Sequence, residues 1–474
     1  MKQFLSERPA RFFEEISAIP RASGKEGKIA DYLVEFAKTK NLEWYRDDAN
    51  NVLIKKGGSE GRAEEKPLMM QAHTDMVTEV AFGFDHDFDT EGVILEQEGN
   101  VLSAKGTTLG ADDGFGVALM LAVLEDEELS HPPVECLFTA TEETGLIGAG
   151  QFDYDRISAR RMLNFDSAEE HLVITGCCGG IRSDIHMPVT VQAVEGKGLR
   201  VGVHGLAGGH SGEDIHRGRA NALCVLGAVL KEVEKQTAFR FVSMTGGDKD
   251  NAIPRDCDAV ILPADPDAAK AVLENGEALL SALVTAAEDG ARHLCVEEVA
   301  VDCAMSEADT KNALTVLSVR NGVLYPRKDN AALPETSRNL ASVRTGEGEL
   351  KFTLSSRSPF EWRIDDSVAE LEALAAEVGG KAGHRSRYPG WEGAPDSPVS
   401  TLWQRAYRET TGREISTTVI HAGLECGLIS SKLAGLDVVS VGCNIYDLHT
   451  PAERMELDSF DRVYRTLLAF LQEC

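Results

Sequence analysis

No stretch of the sequence approaches the roughly 18 apolar residues that suggest a membrane-crossing helix. The first residues, MKQFLSERPARFFEEIS, have no apolar signal core and meet charges early. A cytoplasmic protein with no membrane partner is therefore expected. Basic residues are in deficit: 48 Lys and Arg against 77 Asp and Glu leave a net charge of −29. A field of that sign repels phosphate backbones, which argues against a nucleic-acid partner. The ten cysteines show no C-x-x-C zinc spacing. Adjacent Cys177 and Cys178 suit neither a routine disulfide nor a metal finger, so reduced cytosolic thiols are expected. Catalytic signatures are missing too. There is no H-E-x-x-H, no Walker A lysine loop and no complete G-x-G-x-x-G after a strand. GHSGE carries Glu213 where G-x-S-x-G needs glycine, so Ser211 is a poor nucleophile.

What is present reads as an enzyme-sized α/β protein. The 474 residues exceed one ordinary core and imply two or three domains. KEGKIADYLVEFAKTK has helical spacing, and DDGFGVALMLAVLEDEEL, from Asp112, reads as a helix with an acidic first turn. PLMMQAHTDMV, PVECLFTA, RMLNFDS and GLDVVSVGC read as buried strands, and KGGSEGRAEEK as a surface loop. Fully apolar strands alternating with helices argue for an α/β layer sandwich. From about Cys177 to Pro389 the texture changes. Strands such as LRVGVHG and LKFTLSSRS alternate, and DPDAAKAVLENGEALLSALVTAAE reads as a long alanine-rich helix. The expectation is a catalytic domain of residues 1–179 and 390–474, interrupted by an α+β domain of residues 180–389.

Polar residues collect at the exits of the predicted strands, where open α/β sheets bind ligands. AHTDMV gives His73 and Asp75, and TLGADDG gives Asp112 and Asp113. TATEETG gives Glu142 and Glu143, NFDSAEE gives Asp166, and YDLHTP gives Asp447 and His449. Singly each has a plain explanation: a structural histidine, a helix cap, a solvated carboxylate. Together at one sheet edge they form a nitrogen and oxygen donor set suited to a pair of divalent metals. Asp75 follows His73 by two residues, so the two side chains share a face if extended. Asp75 can then fix the histidine tautomer. Of the two adjacent glutamates, one can bind metal while the other stays free as a base.

These segments resemble the M20 family of metallopeptidases. The likeness runs through AHTDMV, TLGADDGFGVA, TATEETGLIGA, NFDSAEE and DLHTPAERM. It continues in GGHSGEDIHRGRANA, NAIPR and HAGLECG. It covers most of the chain in order and points to the aminoacyl-histidine dipeptidase branch. The resemblance implies a zinc-peptidase fold with a mixed sheet, and an insert that serves as lid and dimerisation domain in a homodimer. It implies two divalent ions, Zn2+ with Mn2+ or Co2+ as alternatives. His73 and Asp166 would hold one, Glu143 and His449 the other, and Asp112 would bridge them. Asp75 would orient His73, and Glu142 would be the general base. The family commonly has Asn where Asp113 stands; a helix-capping role is expected of this extra carboxylate.

In the insert, His210 resembles a lid histidine that polarises the substrate carbonyl in the partner subunit. Asn251 and Arg357 resemble residues that hold the substrate's carboxylate, for which a planar guanidinium is suited. The plain alternative for Arg357 is a surface ion pair. His421 and Glu425 are assigned to the pocket for the substrate's amino terminus, with packing around a glycine-rich turn as the alternative. The implied activity is hydrolysis of dipeptides, chiefly Xaa-His including β-alanyl-histidine. Two other readings are an N-acyl amino acid amidohydrolase or broad di/tripeptidase, and a non-catalytic peptide-binding member.

Overall fold

Every residue of the strand Leu68–His73 is buried, as the run LMMQA requires of a strand covered on both faces. It lies within a computed structural model that describes residues 7–285, 288, 290–328 and 330–474. The strand belongs to an eight-stranded sheet. Its order is Glu43–Arg46, Val52–Lys56, Val134–Thr139, Leu68–His73, Arg161–Ser167, Asp437–Gly442, Leu172–Cys177 and Ser416–Ile420. Leu68–His73 runs parallel to both neighbours, whereas Val52–Lys56 and Val134–Thr139 are antiparallel, so the sheet is mixed. Alternate residues enter opposite cores, as the pleat dictates. Met70, Phe138 and Leu163 pack with residues of the helices Glu7–Ser17, Ala111–Glu125 and Leu457–Glu473. Met69, Leu137, Met162 and Val438 pack with Cys426 and Ile429 of the helix Glu425–Lys432.

The chain divides into two compact units. The first comprises Met1–Cys177, Trp391–Ile420 and Leu424–Cys474, and the second Cys178–Gly390 and His421–Gly423. The second unit is built on a nine-stranded sheet. Eight strands follow the order His293–Met305, Val191–His204, Cys257–Pro263, Phe239–Gly246, Pro334–Gly346, Glu349–Ser358, Gly179–Pro188 and Lys381–Tyr388. The ninth, Gly322–Pro326, pairs with Pro334–Gly346. The pairings in this sheet are antiparallel. The helices Ala222–Glu234, Glu307–Leu317 and Glu361–Glu377 supply apolar residues to its core.

The expected long alanine-rich helix is two short ones, Pro266–Leu273 and Gly276–Leu283. Asp265 caps the first through the N–H groups of Asp267 and Ala268. Asn275 and Gly276 interrupt the run, as poor helix formers do; residues 286 and 287 at its end lie outside the described residues. Three of the elements that the sequence reading did not name bear on the site or its surroundings. One is the helix Glu7–Ser17. The others are the strands Leu95–Glu98 and Val101–Ala104, which join Ile445–Tyr446 and Arg454–Glu456 in a four-stranded sheet. That sheet frames the loop bearing His449. All ten cysteines are free. Among the described residues, no helix is long and apolar enough to cross a membrane.

Candidate metal centre

Three parallel strands of the first unit end side by side, and each delivers a polar residue at its exit. His73 is the last residue of Leu68–His73, Thr139 closes Val134–Thr139 just before Glu142 and Glu143, and Asp166 is the penultimate residue of Arg161–Ser167. Asp112 comes from the start of the helix Ala111–Glu125 and His449 from a loop residue at φ +60. Asp112 lies between the two imidazoles. His73 Nε2 is 3.0 Å from its Oδ1, and His449 Nε2 is 3.3 Å from its Oδ2. Glu143 Oε1 is 3.1 Å from the same His449 nitrogen. Three sets have ligand atoms within 4.8 Å of one another: His73, Asp112 and Asp166; His73, Glu142 and Glu143; and Asp112, Glu143 and His449.

The electrostatics call for cations. Burial raises the pKa of Asp166 well above the ordinary carboxylate range, and the charge of Asp112 adds to it. Glu142 is raised likewise by burial, then by Asp166 and Glu143. Asp112 goes the other way: burial raises it, but hydrogen bonds to His449 and His73 outweigh that and lower it. Burial pulls His449 down, yet Asp112 and Glu143 lift it to about 11. Buried carboxylates in this number need positive charge beside them. Glu143 Oε1 is enclosed, with the His449 ring nitrogen at 3.1 Å as its neighbour. Two imidazole nitrogens on opposite oxygens of one carboxylate, flanked by further carboxylates, form a donor set that fits a bridged pair of divalent ions.

Neighbouring residues fix this set in place. Asp75 is fully buried, and its side chain accepts from Glu142 N (2.9 Å), Glu143 N (3.2 Å) and Ser23 Oγ (2.7 Å). Its Oδ1 lies 3.5 Å from His73 Nδ1, which meets the Asp75 carbonyl at 3.1 Å. Asp113 caps the helix through Gly116 N (3.2 Å) and accepts from His73 N (3.1 Å). Glu453 accepts from four consecutive N–H groups, those of Leu109, Gly110, Ala111 and Asp112, at 2.8–3.4 Å. Arg21 donates to the carbonyls of Thr74, Asp75 and Gly110. Glu26 accepts from the N–H and hydroxyl of Thr141, each at 2.9 Å. Sequence reading missed Arg21, Ser23, Glu26 and Glu453. PRASGKEGK shows only a polar turn, and Glu453 carries just its nearness to His449 as a signal.

One tier below the ligands lies a second polar layer. Gln71 and Asn164 precede His73 and Asp166 by two residues and so share their face. Asn164 Nδ2 donates to Gln71 Oε1 (2.7 Å), and Gln71 Nε2 donates to Glu425 Oε2 (2.5 Å). Thr139 Oγ1 also donates to Glu425 Oε2, at 2.7 Å. Glu425 is fully enclosed, and burial pushes its carboxyl up to about 7. It therefore departs from the expected pocket-lining position: helix Glu425–Lys432 turns it inward against the sheet.

The residues expected in the insert fall in the second unit. His210 pairs with Ala252 between two short strands; its N–H donates to Asp214 Oδ2 (2.8 Å), and its Nδ1 accepts from Glu213 N (3.3 Å). Asn251, next in line, is exposed, and its carbonyl accepts from Ser211 N. Arg357 is buried, not a surface ion pair, and donates to Tyr388 Oη at 2.8 Å. His421 is also buried, with Nε2 2.7 Å from Ser337 Oγ and Nδ1 2.9 Å from Cys178 Sγ. Burial, then the charge of Arg357, lowers its pKa to about 3, so the ring is neutral.

Comparison with known proteins agrees with this arrangement. The model of peptidase family M20/M25/M40 matches residues 69–473. A cytosol non-specific dipeptidase of Escherichia coli is 33% identical over 97% of this chain and 96% of its own. The crystal structure of an aminoacylhistidine dipeptidase from Vibrio alginolyticus superposes with a TM-score of 0.85. It is 32% identical, over 99% of this chain and 97% of that one. An aminopeptidase from Bacillus cereus shares the fold at a TM-score of 0.58 and 15% identity, over 99% of both chains. Donor set, fold and full-length likeness agree: the chain belongs to peptidase family M20/M25/M40 and is a metal-dependent hydrolase of peptide bonds.

Proposed function

We propose that this protein is a dipeptidase acting through a pair of divalent ions, with Zn2+ the leading choice for its nitrogen and oxygen donors. The observation that carries the reading is the meeting of His73 and His449 on the two oxygens of Asp112, with Glu142 and Glu143 alongside. Asp166 and His73 would hold one ion and Glu143 and His449 the other, with Asp112 available to both. When bound, the ions polarise the scissile carbonyl and make water a better nucleophile at neutral pH. Glu142 takes the proton of the attacking water and passes it to the leaving amine. Its raised pKa suits a group that must hold a proton between those steps. Asp75 stays ionised and keeps the His73 ring oriented.

The second unit, residues 180–389 as read from sequence, acts as a lid and as the contact between two copies. His210 stabilises the charge developing on the carbonyl oxygen of a substrate in the partner subunit. Asn251 and Arg357 hold the substrate's carboxylate. His421 lines the pocket for the substrate's amino terminus, and Glu425, turned inward against the sheet, steadies the strand ends through Gln71 and Thr139. Dipeptides ending in histidine, β-alanyl-histidine among them, are the leading substrates, a choice supported by the likeness to the Vibrio alginolyticus enzyme. A cytoplasmic location is supported by the Escherichia coli relative's being a cytosol enzyme.

The test is hydrolysis of β-alanyl-histidine beside Xaa-His, non-histidine and N-acyl substrates, before and after chelation. Chelation-sensitive cleavage restored by Zn2+ and favouring Xaa-His bears the reading out. Metal-dependent cleavage confined to N-acyl amino acids would make it an amidohydrolase. No metal-dependent cleavage of any substrate would overturn the catalytic reading.

A further inference from the structure

Three polar side-chain atoms on one face of the second unit's sheet have no hydrogen-bond partner. They are Arg357 Nε, Arg182 Nη1 and Ser355 Oγ, and all three are enclosed. Strand register gathers them. Arg357 lies opposite Gly180, and Ser355 lies opposite Arg182, on the adjacent antiparallel strand. The three therefore occupy neighbouring positions on one face. Arg182 and Arg357 are diagonal neighbours, about 7–8 Å apart at the backbone, within reach of long side chains. Tyr388 lies opposite Gly180 on the next strand, where a Cβ on Gly180 would meet its hydroxyl at 2.6 Å. That hydroxyl accepts from Arg357 Nη1, which leaves the Nε edge of the guanidinium for another acceptor.

The local charge is also unbalanced. Asp250 is 3.8 Å from Arg182 Nε, but Arg385 Nη2 takes the same oxygen at 2.9 Å. Asp184 is shared by Arg385 and Lys351 at 3.1 and 3.3 Å. Among the described residues, Asp250 and Asp184 are thus shared by Arg182, Arg385 and Lys351, with Arg357 beside them. Such a cationic cluster is out of keeping with a chain of net charge −29. Burial and the charge of Arg357 both lower the pKa of Arg182. A buried cation with an unused N–H is costly unless an anion meets it.

We propose that Arg182 and Ser355 form a second carboxylate-binding position beside Arg357, so that this hydrolase, in addition to the Xaa-His dipeptides proposed above, takes dipeptides whose C-terminal residue is acidic. This rests on the assignment of Arg357 to the main-chain carboxylate. Arg182, with the Ser355 hydroxyl, then holds the side-chain carboxylate of a C-terminal aspartate or glutamate. The α-carbon and one or two methylenes separate the two acid groups, a spacing that flexible arginines on diagonal positions can match. A neutral C-terminal residue leaves the Arg182 N–H without an acceptor, which makes Arg182 a specificity-determining residue.

The test compares alanyl-glutamate with alanyl-glutamine on the metal-loaded enzyme. Wild type should show a KM for alanyl-glutamate lower by roughly 10- to 100-fold, the worth of a hydrogen bond to a charged group. Arg182→Gln should abolish most of that ratio, Arg182→Lys part of it, and Ser355→Ala a few-fold. Calorimetry with L-glutamate and L-glutamine as product-like ligands should show the same order without needing turnover. Equal KM values in wild type, or a ratio unmoved by Arg182→Gln, would overturn the proposal. So would an Asp250→Asn variant that shifts both peptides as Arg182→Gln does, since that would reduce Arg182 to an ion-pair partner. If Arg182→Gln fails to fold, Arg182→Lys and Ser355→Ala carry the test. Should no dipeptide be cleaved at all, the dipeptidase reading fails. Calorimetry then decides the subsite: glutamate binding that Arg182→Lys weakens upholds it, and no preference over glutamine overturns it.

Discussion

Arg21 and Glu453 grip Gly110 from opposite sides. The guanidinium takes its carbonyl, and the carboxylate takes its N–H at 3.0 Å. Gly110 stands two residues before Asp112, so the position of the shared ligand is set by two enclosed charges drawn from distant parts of the sequence. Arg21 also holds the carbonyls after His73. Two ligand-bearing loops are therefore tied to one guanidinium.

Replacing Glu453 by Gln should loosen the turn that carries Asp112. An amide offers one acceptor oxygen where the carboxylate serves four N–H groups. Metal affinity should fall by roughly 10- to 100-fold, as for other groups that orient ligands. Competition with a chromophoric chelator measures this. An unchanged affinity would show that the turn holds its shape unaided.

Gly110→Ala tests the same turn by sterics. Gly110 has φ +68, and an added Cβ would meet Arg21 Nη2 at 2.6 Å and Met76 Sδ at 2.8 Å. The backbone penalty alone is roughly 1–2 kcal/mol, and displacement of Arg21 adds to it. Denaturant unfolding of the metal-free protein should record the loss, together with a reduced metal content after purification.

Glu142→Ala should keep its metal and lose turnover. Loss of a general base costs roughly 10²- to 10⁴-fold in kcat. Glu143→Ala, by contrast, should lose metal as well. Metal analysis beside kinetics separates the two, and near-normal kcat for Glu142→Ala would sink its assignment as base.

Glu425 should make the metal-free protein's stability depend on pH. Its folded-state carboxyl titrates at about 7, raised by burial, whereas an unfolded glutamate titrates near 4.3. The stabilisation from the protonated form is complete below the unfolded value and is lost as pH rises through about 7. Glu425→Gln removes this term. Its melting temperature should exceed that of wild type at pH 8, reflecting a stability difference of about 4 kcal/mol at most, with the gap narrowing toward pH 5. A gap independent of pH would mean that Glu425 is ionised inside the fold throughout.

Chelation should lower the melting temperature of the wild type, and added Zn2+ should raise it with concentration, since an ion that binds only the folded chain stabilises it by mass action. Asp112→Asn should blunt that response. A melting temperature indifferent to metal would argue that these carboxylates are neutralised by protons alone.

The cluster at the strand exits was legible because chemistry and position coincide: His73, Glu142, Glu143 and Asp166 follow apolar strands whose buried character is plain in LMMQA, VECLF and RMLNF. What holds those ligands was not. Arg21 and Glu26 look like any charged residues of a surface turn, and their enclosure depends on partners far along the chain. Glu425 was read from its motif as facing a ligand. Its actual direction is set by how the helix Glu425–Lys432 packs on the sheet, which no local pattern encodes. The split helix at Asn275 had a local signal in Asn-Gly, which the alanine-rich spacing on either side concealed.

The Arg21–Gly110–Glu453 relationship also bears on how the enzyme is made. One grip comes from residue 21 and the other from residue 453, so the turn bearing Asp112 has both only after nearly the whole described chain has left the ribosome. A nascent or prematurely terminated chain can build the strands and expose His73 and Asp166, but it lacks Glu453 and His449 and so cannot bring the candidate donor set together. The centre is thereby withheld from incomplete products of translation.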